Sequence, residues 1–241
     1  MRILRGMWVF PAAAAAVALV FAGALGKRYL ERRQAHLGFW CVALAMYAVA
    51  SLAVAIGVAA GWSRTLFEVY WILGAVLNVP LLAAGEVLLL TRNRIVGAGI
   101  WVVLAFVTAY TIAVTRGAAM DPSALAQQLP SGKEVFGDGS VAYGLPQLIS
   151  IPSYAILVVG AGWSAWRMRG RDELRDRFVG TLLIVVGASV TAVAGSIFAA
   201  IGNAPAFSVA LLAGVAVMYA GFLRATRTAR IPAAATVTTG G

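Results

Sequence analysis

The chain reads as an all-α polytopic membrane protein of seven transmembrane helices, with its N-terminus outside and its C-terminus in the cytoplasm. Three observations predict this. Seven apolar segments fill its 241 residues, each near the ~20 residues a helix needs to cross a bilayer. The composition is 61% hydrophobic and 12% charged with a mean hydropathy of +0.88, so no soluble domain is expected within it. Fourteen of the nineteen Lys and Arg residues fall in alternate connections, which must share one side of the membrane.

The elements follow in order. Segment 8–26 is followed by Lys27, Arg28, Arg32 and Arg33. Segments 38–60 and 66–90 flank a short turn at Gly61-Trp62, and Arg92 and Arg94 follow the third. Segment 95–115 leads into the longest connection, 116–144. Segment 145–166 precedes Arg167, Arg169, Arg171, Arg175 and Arg177. Segments 178–201 and 205–223 flank Gly202-Asn203, and Arg224, Arg227 and Arg230 follow. The opposite side holds Arg2, Arg5, Arg64, Arg116 and Lys133 alone, so the positive-inside rule places it outside. Trp8 and Trp62 are expected at the outer interface, and Trp40, Trp163 and Trp166 at the inner one. The single domain spans 1–230, and the tail 231–241 is expected to be disordered.

Arg2, Arg5, an apolar run and Ala22-Gly23-Ala24 also imitate a cleavable secretory signal. A signal enters with its N-terminus inside, which would invert every later basic loop. The segment is therefore read as the first helix.

The net charge of +10 equals the fourteen inner bases less Glu31, Asp172, Glu173 and Asp176. The inner face carries the excess, which implies attraction to anionic lipid headgroups and no nucleic-acid partner. Arg outnumbers Lys 17 to 2 in an Ala- and Gly-rich chain, so a bacterial plasma membrane is expected.

Helices one to three and five to seven share one plan: a basic inner loop, a short outer turn and a basic exit. Pro11 and Pro152, like Gly61 and Gly202, lie 141 residues apart, so a 3+1+3 parallel repeat is expected. This plan resembles the SWEET and PQ-loop sugar carriers and the microbial rhodopsins. Pro146-Gln147 matches the PQ dipeptide but opens helix five on the outer side, where that family does not place it. Tyr70-Trp71, Pro80-Leu81-Leu82 and Glu86 make helix three similar to the proton-pathway helix of microbial rhodopsins. Retinal in that family is held by a lysine on helix seven. Helix seven of this chain has none, which excludes a retinal pigment of that kind.

Helix three carries the main candidates. Glu68 and Glu86 are eighteen residues apart, five turns, so they share a face but stand ~27 Å apart, too far for a catalytic dyad. Glu86 lies ~9 Å inside the inner boundary, where an ionised carboxylate is costly without a partner. It is a candidate proton or ion site, or else a helix-end residue paired with Arg92. Glu68, within a turn of the outer interface, reads first as a solvated carboxylate. Asn78 marks the midplane, and Pro80 frees the carbonyl of Val76 and predicts a kink. On helix five, Gln147, Ser150 and Tyr154 follow i, i+3, i+7 spacing as a polar stripe facing the bundle. With Asn78 they line a midplane cavity or join helices. Gly187, Thr191 and Gly195 on helix six form a small-residue face for a bundle contact or a homo-oligomer.

In the outer loop, Asp121-Pro122 predicts a short helix through about Leu129, ended by Pro130. Glu134-Val135-Phe136 and Ser140-Val141-Ala142-Tyr143 around Gly137-Asp138-Gly139 predict a small hairpin, as a lid or an ordered cover. His36 and Cys41 are the only residues of their kinds, read as an exposed loop residue and a small packing residue. No multi-His, Cys-rich or Cys/His metal site, catalytic constellation or cofactor motif is expected. Two functions fit. One is a small-solute or proton-coupled permease using the midplane cavity. The other is a non-transporting sensor or assembly subunit contacting a partner protein through its outer loop and basic inner loops.

Overall fold

The computed structural model describes residues 6–91 and 93–227, the last without its side chain. Arg2, Arg5, Arg92, Arg230 and the tail 231–241 lie outside the described residues. Among the described residues, seven helices are long and apolar enough to span a membrane: α1 Val9–Arg32, α2 Ala35–Ala60, α3 Arg64–Leu90, α4 Arg94–Gly117, α5 Val141–Met168, α6 Asp172–Ala200 and α7 Ala204–Arg227. No strand occurs among the described residues. Most helices overrun their apolar segments, because a helix satisfies its own backbone and continues through the interface until a stop signal. For α1 that stop is Arg33, whose φ of 54° is left-handed and whose N–H donates to Tyr29 O at 2.7 Å. For α2 it is Gly61 at φ 95°.

Short connections make consecutive helices antiparallel. The C-terminal ends of α1, α3, α5 and α7 therefore meet at one end, the basic end, and the 118–140 connection covers the other. Around the bundle α1 packs on α2 and α7, α2 on α3, α3 on α5, α5 on α6, and α6 on α7. Six helices close a ring, and α4 stays outside it. Only 6% of the apolar window of α4 is buried, and Trp101, Val102 and Phe106 are exposed, the surface a bilayer would cover. Gly61 and Gly202 both have positive φ, whereas the wide turns at Trp71–Val76 and Val190–Ala194 do not recur at the 141-residue offset.

Close approach closes the ring at α6 and α7. A Cβ at Gly180 would stand 2.6 Å from Gly221 O, and one at Gly187 2.5 Å from Gly214 O, so bare backbone meets bare backbone there. Gly187 and Thr191 thus meet α7 within the chain, while Gly195 approaches only Phe207, at 3.9 Å. Tyr47 of α2 fills the middle and donates to Leu211 O of α7 at 2.8 Å.

The expected hairpin is replaced by short helices, Gly132–Phe136 and Val141–Leu145, the second opening α5. Capping decides this. Ser131 accepts from Glu134 N–H at 3.3 Å and bonds its carboxylate at 2.9 Å, and Ser140 accepts from Tyr143 N–H at 3.2 Å. Asp121 starts the helix at Pro122 as expected, accepting from Ser123 N–H at 2.8 Å, but the helix ends at Leu125. This cap is docked on the ring. Trp62 Nε1 donates to Gln128 O at 3.0 Å and Trp71 Nε1 to Ala142 O at 3.2 Å. Trp62, just past the end of α2, is therefore buried beneath the cap in a cluster with Phe67 and Tyr70. His36 is half-buried against Trp40, ring centroids 5.2 Å apart, and not an exposed loop residue. Cys41 packs on α1, its Sγ 3.3 Å from Ala22 O.

Candidate functional site: the seam between α3 and α5

The kink predicted at Pro80 exists and has a wider turn before it. Leu77 N–H donates to Ile72 O at 2.9 Å, five residues back, so one extra residue is accommodated across Trp71–Val76. Pro80 has no N–H to give Val76. Ser150 of α5 fills that gap, with its Oγ 3.0 Å from Val76 O and 2.9 Å from Ala75 O. Asn78, buried on the other side of the kink, donates through Nδ2 to Ala43 O of α2 at 2.6 Å. The midplane of α3 is thereby held by α2 and α5 together.

The polar stripe of α5 diverges. Tyr154 donates to Ser189 Oγ of α6 at 2.6 Å, and Ser189 donates onward to Val185 O at 2.8 Å. Gln147, with its amide turned so that both atoms find partners, donates to Tyr143 O and Gly144 O of its own helix. Asn78, Ser150 and Tyr154 are thus helix-to-helix contacts. A depression of about 450 Å³ at the cap end is lined by Gln147 together with Asp138, Ser140 and Tyr143, and none of those three candidates lines it.

Glu86 lies toward the basic end, 5% exposed and turned to α5. Its room comes from a glycine: a Cβ at Gly160 would stand 2.7 Å from Glu86 Cγ and 3.2 Å from Leu90 Cδ1. Ser164, one turn further along α5, has its Oγ at 3.5 Å from Glu86 Oε1, the limit of a hydrogen bond. The neighbouring residue, Gly85, lies under the Trp40 ring of α2, whose Nε1 donates to Leu82 O at 3.1 Å. Among the described residues no salt bridge reaches Glu86. The pairing expected with Arg92 falls on a residue outside them.

Glu68 is placed differently. Arg64 Nε bonds its Oε1 at 2.9 Å, and the same guanidinium donates to Arg116 O and Ala118 O, at 2.9 and 3.2 Å, at the end of α4. Glu68 therefore steadies an arginine that ties α3 to α4, and it is not brought near Glu86. No group of three metal-ligating side chains occurs among the described residues. Sequence reasoning missed Gly160, Ser164 and Trp40. The Gly160 to Ser164 spacing is the same small-residue signal that was read on α6, so the first two were legible.

No protein-family model, no curated protein and no solved structure matches the chain. The likeness of α3 to the proton-pathway helix of microbial rhodopsins therefore assigns no family. What the seven apolar helices support is an integral membrane protein of the multi-pass class.

Proposed function

We propose that the protein is a proton-coupled permease for a small solute, with Glu86 as the proton site in the α3–α5 seam. The observation that carries this reading is the burial of Glu86 inside an apolar span, beside a glycine that makes room for it, with Ser164 its one hydrogen-bond partner among the described residues. A carboxylate buried at such depth costs several kcal/mol in its ionised form unless paired, so such residues mark proton or ion pathways by default. In this reading the N-terminus is outside, Glu86 faces the cytoplasmic gate, and the structure is the occluded form. The contacts of Asn78, Ser150 and Tyr154 are the latches that a solute path through the midplane must release. Neither the solute nor the direction of coupling follows from these residues.

Flux into proteoliposomes against an imposed pH gradient, for the wild type and Glu86→Gln, tests the proposal. A proton-driven flux that Glu86→Gln abolishes at intact fold is expected. A wild-type protein that acidifies nothing and carries no member of a broad solute panel would sink it. The second reading, a non-transporting sensor or assembly subunit, is favoured by the docked cap and by Tyr47 filling the ring. It predicts no flux together with a stoichiometric protein partner that co-purifies from the native membrane.

A further inference from the structure

We infer that the groove between the basic ends of α5 and α6 binds the headgroup of an anionic phospholipid. The chain turns there at Gly170, whose φ of 77° is left-handed, and leaves a depression of about 260 Å³ lined by Met168, Arg171, Asp172, Arg175, Phe178 and Val179. That is well above the ~10–15 Å³ of such space that one water needs, so a phosphate group has room there.

Two arginines stand over one carboxylate, Asp172, so the lining is net positive. Of the two acids that follow Asp172 in the chain, Glu173 is not part of the lining and Asp176 is engaged by Arg224 of α7 at 3.3 Å. Among the described residues no salt bridge uses Arg171 or Arg175. A guanidinium presents parallel N–H donors that match phosphate oxygens, and two of them on one rim suit a phosphodiester better than a carboxylate.

The surroundings select a lipid over a free anion. Met168, Phe178 and Val179 give the groove an apolar wall. Beyond it the flanks of α5 and α6 are open: Val159, Trp163 and Trp166 on one helix and Leu182 and Val186 on the other are 40–71% exposed. Acyl chains can lie along those flanks while the phosphate meets the arginines. This combination differs from the general excess of positive charge at that end, which attracts anionic lipid without a fixed place. The inference requires only that the chain be in a membrane, and it is independent of whether the protein transports.

The full-length protein in detergent, titrated with phosphatidylglycerol or phosphatidylcholine of identical acyl chains and read by native mass spectrometry, is the test. Phosphatidylglycerol adducts are expected to persist at higher collision energy than phosphatidylcholine adducts. The double variant Arg171→Ala/Arg175→Ala is expected to weaken them about a hundredfold, at about tenfold per charge-assisted arginine contact. The charge-matched pair Arg169→Ala/Arg177→Ala outside the lining is expected to change them less than about threefold. Equal losses in the two double variants would reduce the site to a diffuse field and overturn the inference, as would equal retention of both lipids. Displacement of the lipid by millimolar inorganic phosphate would point to a phosphate site and overturn the choice of a lipid. Unchanged melting temperatures of the variants in the same detergent guard against loss of fold.

Discussion

The bond from Ser150 to the carbonyl that Pro80 leaves free offers a measurement of how the α3–α5 seam is held. Ser150→Ala removes the donor shared by Val76 O and Ala75 O at 3.0 and 2.9 Å. Interhelical hydrogen bonds in membranes average about 0.6 kcal/mol and reach about 1.7. Val76 O has no helical donor to return to, because residue 80 has no N–H, so the cost belongs in the upper part of that range, about 1–1.7 kcal/mol. That is about a five- to eighteenfold shift in the folding equilibrium. The control is Ser153→Ala, whose hydroxyl bonds only Ile149 O in its own helix at 2.7 Å, and there the effect is expected near zero. Pro80→Ala restores an amide donor four residues after Val76. In that background Ser150→Ala is expected to cost less by about 0.5–1 kcal/mol, a coupling typical of neighbours. Reversible unfolding in mixed dodecyl maltoside and dodecyl sulfate micelles measures all four corners of the cycle. Additive corners, or a Ser150→Ala cost no larger than that of Ser153→Ala, would refute the reasoning.

Other consequences follow from the same contacts. Gly132 lies directly against the Trp71 ring, so Gly132→Val is expected to undock the cap, red-shift tryptophan emission and speed tryptic cleavage at Lys133; unchanged cleavage would show that the cap is held elsewhere. Gly187→Leu places a side chain where Gly214 O lies 2.5 Å from the ideal Cβ, and is expected to lower stability by about 1–3 kcal/mol by parting α6 from α7. An unshifted melting curve would mean that the two helices do not need that approach. The Asp121 carboxyl is held below its ordinary value of 3.8, first by the Ser123 hydroxyl and then by the Ser123 amide. A depressed folded value means that its stabilisation is present above pH 3.8 and is lost as pH falls through the lower, folded value. Amide exchange at Ser123 is therefore expected to gain protection loss below about pH 4 in the wild type but not in Asp121→Asn, and identical profiles would remove the capping role.

The parts of this architecture that were legible in the sequence are those decided locally. Seven spans follow from length and hydropathy, which need no knowledge of neighbours. The free carbonyl of Val76 follows from Pro80 alone, and Ser150 was singled out from its spacing, but that one meets the other depends on the ring order. That order, with α4 outside, is a tertiary outcome: α4 has an apolar length like the rest and nothing in its composition says that it packs least. The hairpin failed for a local reason. Alternation around Val135 and Val141 suggests strands, but Ser131 and Ser140 each cap a helix by accepting from the N–H three residues downstream. Trp62 stands at a helix end, as a belt tryptophan does, but the cap that supplies Gln128 O and buries it is a tertiary feature that no local pattern announces.

The two ends of the molecule meet on a single helix. At its start, α3 holds α4 through Arg64 and the cap through Trp71, the residue at which the wide turn begins. At its middle it is bound to α5 through Val76 O and to α2 through Asn78, and near its end it sets Glu86 against Gly160. A wide turn is an extra residue in a helix, and resolving it would shift the downstream half by about 1.5 Å and turn it by about 100°. Such a turn would carry Glu86 off Gly160 and break the Ser150 and Asn78 bonds in the same step. Cap docking at Trp71 and carboxylate placement at Glu86 then belong together to one helix register. If this coupling operates, a variant that undocks the cap at Gly132 changes the reactivity of a single cysteine placed at Val87 in a Cys41→Ser background, although the two sites lie at opposite ends of α3. Reactivity at Val87 that ignores the state of the cap would mean that the halves of α3 move independently.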